Sequence, residues 1–186
     1  MYRFSRFIFK VLFTIFFPYK VEGLENIPEE GSYLLVGNHK SNLDSPLIVK
    51  IMKRKVHFIA KKELLEGKSK FIFKHLGIIP VDRKNHNNKE SLNKAIEYLN
   101  NGEIVGIFPE GTFNNTEYII RPFKMGATYI ASKSDSLIIP FAIKGDYKLF
   151  RRGVTIKFSK PYVIKDKLDL GKENITLMNK VIDLLK

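Results

Sequence analysis

Residues 32–54 read SYLLVGNHKSNLDSPLIVKIMKR, and the succession of residue types along this stretch decides the architecture. SYLLVG (32–37) is short and mostly apolar, which suits a buried strand. Ser45-Pro46 marks a helix start, because proline is tolerated in the first helical turn. The apolar spacing of LIVKIMKR carries that helix toward Arg54. Between strand and helix lies NHKSNLD (38–44), a loop rich in turn-forming residues.

The same alternation recurs along the chain. VHFIA (56–60), GIIPVD (77–82), EIVGIF (103–108), LIIPFAIK (137–144) and VTIKFS (154–159) read as strands. Residues 88–101 have helical periodicity through Leu92, Ala95, Ile96 and Leu99, closing at Asn101-Gly102. Residues 125–134 and 174–185 add two more helices, and the basic stretch 61–74 reads as helical in pieces. Strands separated by helices predict a three-layer α/β domain with a mixed, partly parallel sheet. In such sheets chemistry collects in loops beyond the carboxyl ends of strands. Here those loops are 38–45 and 109–113.

Composition narrows the classes. The 186 residues suffice for one domain with a real core, and 44% are apolar. No cysteine is present, which excludes a disulfide scaffold, a thiolate zinc site and a cysteine nucleophile. The 32 Lys and Arg against 19 Asp and Glu leave a net charge of +13, suited to polyanions. No zinc spacing, aromatic RNA-binding signature or base-reading helix accompanies it, so nucleic acid is not an expected partner. His39, His57, His75 and His86 are scattered, so no metal site is expected either.

An anionic membrane surface is the expected partner, because of residues 1–17 (MYRFSRFIFKVLFTIFF). On a helix, Arg3, Arg6, Lys10 and Thr14 share one face and Phe4, Phe7, Ile8, Val11, Leu12, Ile15 and Phe16 fill most of the rest. The segment is shorter than the roughly 20 apolar residues a bilayer span needs. It lacks a small-residue cleavage site. It reads as an interfacial helix, so residues 1–19 are expected to be a membrane-associating segment ahead of a domain at 20–186. A core helix with one solvated edge is the other reading of the same pattern.

Four groups of residues carry candidate chemistry. His39 and Asp44 are five apart, about 140° around a helix axis and on opposite faces of a strand. Only a turn brings them together. The carboxylate would then fix the ring tautomer and leave the other nitrogen to take a proton from a hydroxyl. The same residues also suit a structural role, Asp44 capping the following helix. Phe108-Pro109-Glu110-Gly111-Thr112 is a strand end and sharp turn in which Gly111 permits close backbone approach to a ligand. Gly77–Arg83 delivers an arginine that can grip a phosphate or pair with Asp82. Arg121-Pro122-Phe123-Lys124 sets two cations before a helix start, where a bound anion would relieve their clash with the helix dipole.

NHKSNLD (38–44), GIIPVDR (77–83), FPEGT (108–112) and LIIPFAI (137–143), in this order, resemble the glycerolipid acyltransferase family, its bacterial 1-acyl-glycerol-3-phosphate members above all. The resemblance covers roughly residues 20–165. It implies transfer of a fatty acyl group from an acyl thioester to the sn-2 hydroxyl of lysophosphatidic acid, giving phosphatidic acid. The same fold and chemistry acylating another lysolipid or hydroxyl is the alternative. It implies His39 as general base and Asp44 as its partner. Arg83 and Lys124 would hold the acceptor phosphate, and Glu110, Gly111 and Thr112 would shape the acceptor site. It implies direct attack without an acyl-enzyme, without metal or cofactor, with acyl carrier protein or coenzyme A thioester as co-substrate. The expected location is the cytoplasmic face of the cell membrane, peripheral or monotopic. One departure stands out. The family's third block usually continues with Arg, where this chain has Phe113. Arg121, a short loop away, is the expected replacement.

Overall fold

The computed structural model describes residues 2–66, 76–82, 88–114 and 116–186. In chain order the elements are α1 (Tyr2–Ile15), β1 (Tyr19–Glu22), β2 (Tyr33–Gly37), α2 (Asp44–Ile51), β3 (Val56–Lys61), β4 (Ile79–Val81), α3 (Lys89–Asn100), β5 (Ile104–Ile107), α4 (Gly126–Ser134), β6 (Leu137–Gly145), β7 (Val154–Phe158) and α5 (Leu170–Leu185).

Among the described residues seven strands form one sheet in the order β1-β7-β6-β2-β5-β3-β4. The five from β6 to β4 run parallel. β7 is antiparallel to β6, and β1 runs parallel to β7, so this edge runs the other way. The central strands are apolar on both faces because both are covered. On β2, Tyr33 and Leu35 face a core shared with α1 and α2, while Leu34 and Val36 face a core shared with α3, α4 and α5. The expected three-layer domain with a mixed sheet is what forms.

The differences from the sequence reading have local causes. β1 was not anticipated, since YKVE is too short to show a period; β7 supplies its pairing, Tyr19 opposite Val154. α2 stops at Ile51 rather than Arg54, because the chain turns extended at Met52, whose side chain is buried. β4 keeps only Ile79–Val81 of the expected strand. α5 starts at Leu170, a turn early, with the Asp169 carboxylate accepting from the Lys172 amide at 2.9 Å. Within 61–74, Lys62–Leu65 forms a 3₁₀ turn, and the remaining expected pieces lie mostly outside the described residues, as does Arg83.

α1 serves two surfaces. Phe9 and Phe13 are buried in the core that α1 shares with α2. The Phe13 ring meets Phe17, Tyr19 and Tyr147. Phe4, Phe7, Ile8, Val11 and Ile15 remain exposed. The division expected after residue 19 falls inside β1, and α1 is part of the domain's core. Among the described residues no helix is long and apolar enough to cross a membrane.

Candidate active site

β2 lies between β5 and β6, all three parallel, so their carboxyl ends open onto one edge. That topology brings together residues 38–44, 108–113 and the chain leaving β6. Asn38 extends the β2–β6 ladder with its side chain: its amide nitrogen donates to the Ile143 carbonyl at 3.0 Å, and its oxygen accepts from the Ile143 N–H at 2.7 Å. The next residue, His39, is thereby anchored at the strand end.

The loop then turns so that His39 Nδ1 meets Asp44 Oδ2 at 2.8 Å. The turn is organised by the carboxylate itself. Asp44 Oδ2 also accepts the Lys40 N–H at 2.7 Å and the Ser41 N–H at 2.8 Å. Asp44 therefore sits in the first turn of α2 but binds the loop before it, and Leu43 occupies the cap position. The other oxygen, Oδ1, accepts the Tyr147 hydroxyl at 2.8 Å. Asp44 is fully buried, and a buried carboxylate needs such donors. Burial, reinforced by the Asp44 charge, pushes the Tyr147 phenol far above its ordinary range, so it donates at every working pH.

With Nδ1 committed to Asp44, His39 Nε2 is the nitrogen available for proton transfer; among the described residues nothing bonds it. The ring stacks on Phe108 at 4.1 Å and leans on Phe113 at 4.5 Å. It borders a cavity of about 380 Å³ whose wall includes Val49, Val56, Phe58, Leu64, Ile78 and Phe113. The cavity wall is mainly apolar with a histidine at its edge.

Glu110 braces this arrangement from below. Its Oε1 accepts the His39 N–H at 2.8 Å and its Oε2 the Arg121 N–H at 2.9 Å. Burial raises its carboxyl above the usual value, opposed by those two backbone donors. Glu110 shapes the site by joining two loops, with both oxygens occupied. Gly111 turns with φ +71, and a Cβ there would stand 3.0 Å from Lys124 Nζ. Lys124 is itself tied back, its N–H donating to the Pro109 carbonyl at 2.9 Å. Glu110, Gly111, Arg121 and Lys124 thus belong to one knot beside His39, and Thr112 lines the cavity. Asn38, Phe108 and Tyr147 also hold this arrangement together, and the sequence reading gave none of them a role. Asn38 and Phe108 open the quoted blocks 38–44 and 108–112, whereas nothing near Tyr147 marks it.

The acyltransferase family model matches residues 18–144, well over half the chain, and includes the loops that carry His39, Asp44, Glu110 and Lys124. The chain belongs to the acyltransferase family. This acyltransferase is 34% identical over 159 residues to the 1-acyl-sn-glycerol-3-phosphate acyltransferase of Bacillus subtilis, covering 82% of this chain and 77% of that protein. It is 29% identical over 136 residues to the protein of the same name from Borreliella burgdorferi, covering 72% of this chain but 54% of that one. Its structure superposes on the 1-acyl-sn-glycerophosphate (LPA) acyltransferase PlsC from Thermotoga maritima with a TM-score of 0.73 and 28% identity, over 98% of this chain and 77% of that one.

Proposed function

We propose that this acyltransferase moves a fatty acyl group from a thioester to the sn-2 hydroxyl of 1-acyl-sn-glycerol-3-phosphate, giving phosphatidic acid and a free thiol. The observation that carries the reading is the His39–Asp44 pair, 2.8 Å apart, at the edge of an apolar cavity. His39 Nε2 takes the hydroxyl proton as the oxygen attacks the thioester carbonyl. Collapse of the tetrahedral intermediate expels the thiolate, which recovers the proton from the imidazolium. Asp44 keeps Nδ1 protonated and stabilises the transient charge. No covalent enzyme intermediate, metal or cofactor takes part.

The acceptor phosphate binds Arg121 and Lys124, with Arg83 joining them on the strength of its motif. The names of the relatives support the acceptor. The donor is an acyl carrier protein or coenzyme A thioester, since the chemistry is the same for both. The net charge and the exposed apolar residues of α1 support work at the cytoplasmic face of an anionic membrane.

The test is acyl transfer to lysophosphatidic acid in liposomes, wild type beside His39→Ala. Product from wild type and a loss of about 10²-fold or more in the variant are expected. A second acceptor is favoured by one observation: Phe113 stands against His39 where the family usually has Arg. No product from lysophosphatidic acid, with product from another lysolipid, would move the assignment there. Arg121→Ala should raise KM for the phosphorylated acceptor several-fold, and an unchanged KM removes Arg121 from the phosphate site.

A further inference from the structure

The loop from β6 to β7, residues 146–153 (DYKLFRRG), has a base and a tip of different chemistry. The base is tied to the catalytic loop. Lys40 Nζ donates to the Gly145 carbonyl at 2.7 Å, and the Tyr147 hydroxyl donates to Asp44. At the tip, Lys148 and Arg151 pair across a two-residue corner, Leu149-Phe150.

That corner is unusual in three respects. Leu149 and Phe150 are 59% and 66% exposed. Phe150 has φ +57, in the left-handed region where glycine or asparagine is the usual turn residue and a bulky side chain is disfavoured. Burial within the fold does not compensate, since most of the ring faces out. The conformation is held instead by the turn that follows α1: the Phe150 N–H donates to the Phe16 carbonyl at 2.8 Å, and the two rings lie 5.5 Å apart. Ile15, Phe16, Leu149 and Phe150 therefore form one outward apolar patch, continuous with the exposed face of α1. Lys148, Arg151 and Arg152 are exposed around it, and among the described residues no salt bridge joins them to an acidic side chain.

We propose that this hairpin tip is a second lipid-contact site, seating Leu149 and Phe150 at the headgroup–acyl boundary of an anionic phospholipid bilayer. Lys148, Arg151 and Arg152 face the lipid phosphates. A cluster of large apolar side chains rimmed by cations is what interfacial binding requires. The inference rests on the membrane-surface reading of α1 and goes beyond it by adding an element far away in sequence. It also gives the hairpin a double role: the element that meets lipid at its tip braces the catalytic carboxylate at its base.

The chain contains no tryptophan, so Leu149→Trp introduces a single tryptophan whose emission is read with excitation at the red edge, away from the tyrosines. The full-length variant is mixed with vesicles of phosphatidylcholine plus phosphatidylglycerol, with or without brominated acyl chains, and with phosphatidylcholine alone. Blue-shifted emission quenched by the brominated lipid is expected on the anionic vesicles. Arg151→Gln and Arg152→Gln should each weaken anionic-vesicle binding about 5-fold. Phe150→Ser should also weaken it, with an undiminished melting temperature showing that the fold is intact. Co-sedimentation with unmoved emission would overturn the hairpin contact and leave α1 as the membrane element. Failure to bind anionic vesicles at all would overturn both. Emission that responds to an acidic carrier protein and ignores vesicles would also overturn the proposal, making the tip a protein-docking site.

Discussion

Tyr147→Phe removes one oxygen from the site and leaves the ring that Phe13 and Phe17 pack against, at 6.2 and 6.1 Å. The lost interaction is the 2.8 Å hydrogen bond to Asp44 Oδ1. A hydrogen bond to a buried charge contributes about 1.5–3 kcal/mol. Asp44 keeps three donors on Oδ2, from His39, Lys40 and Ser41, so the lower half of that range applies. At roughly 2–4 °C per kcal/mol for a chain of this size, the melting temperature should fall by about 3–9 °C. The His39 contact itself is untouched. If the whole loss were felt in the transition state, kcat would fall about 10- to 40-fold, and the upper figure is the expected ceiling. KM for the acceptor should stay within about 2-fold, because no substrate contact is removed. Calorimetry and steady-state acyl-transfer kinetics measure all three quantities. An unchanged melting temperature and kcat would refute the reasoning and leave Asp44 held by its backbone donors and His39 alone.

Phe13→Ala should cost about 3–5 kcal/mol in urea titration, because its ring is fully buried between α2 and Tyr147, whereas Phe7→Ala, 61% exposed, should change stability little and weaken vesicle binding. Glu110→Gln offers one acceptor where two backbone N–H groups need one each, so a loss of about 1–3 kcal/mol is expected, along with lower activity as the His39 loop loosens. The same variant tests a pH effect. The Glu110 carboxyl is raised by burial, so its contribution to stability is greatest below its unfolded value and declines as pH rises through its folded value. Glu110→Gln should flatten that part of the stability–pH curve, and an unchanged curve would show that another group sets it. Gly111→Ala places a Cβ at φ +71 against Lys124, so it should cost about 1 kcal/mol or more by thermal unfolding and raise KM for a phosphorylated acceptor.

Six of the seven strands, the helices between them and the two loaded loops were legible in the chain's own pattern, which left the pairing of His39 with Asp44 open beside a structural role. These are local matters. Burial of a whole strand shows as an apolar run, and the turn-formers Asn38, Ser41 and Asn42 let a histidine and an aspartate five positions apart meet. α1 was legible only in part: its Phe content announced an apolar surface, but Phe13 turned inward and Phe7 outward for reasons set by α2 and Tyr147. The tertiary structure alone decided the rest. Tyr147 reaches Asp44 across 103 residues, and Glu110 reaches the His39 backbone across 71. Phe113, which stands where the family usually has Arg, leans on the His39 ring. Residue pattern reports local backbone preference and average burial. Which loops face one another depends on strand order, and here β2 between β5 and β6 brings distant loops to the same edge of the sheet.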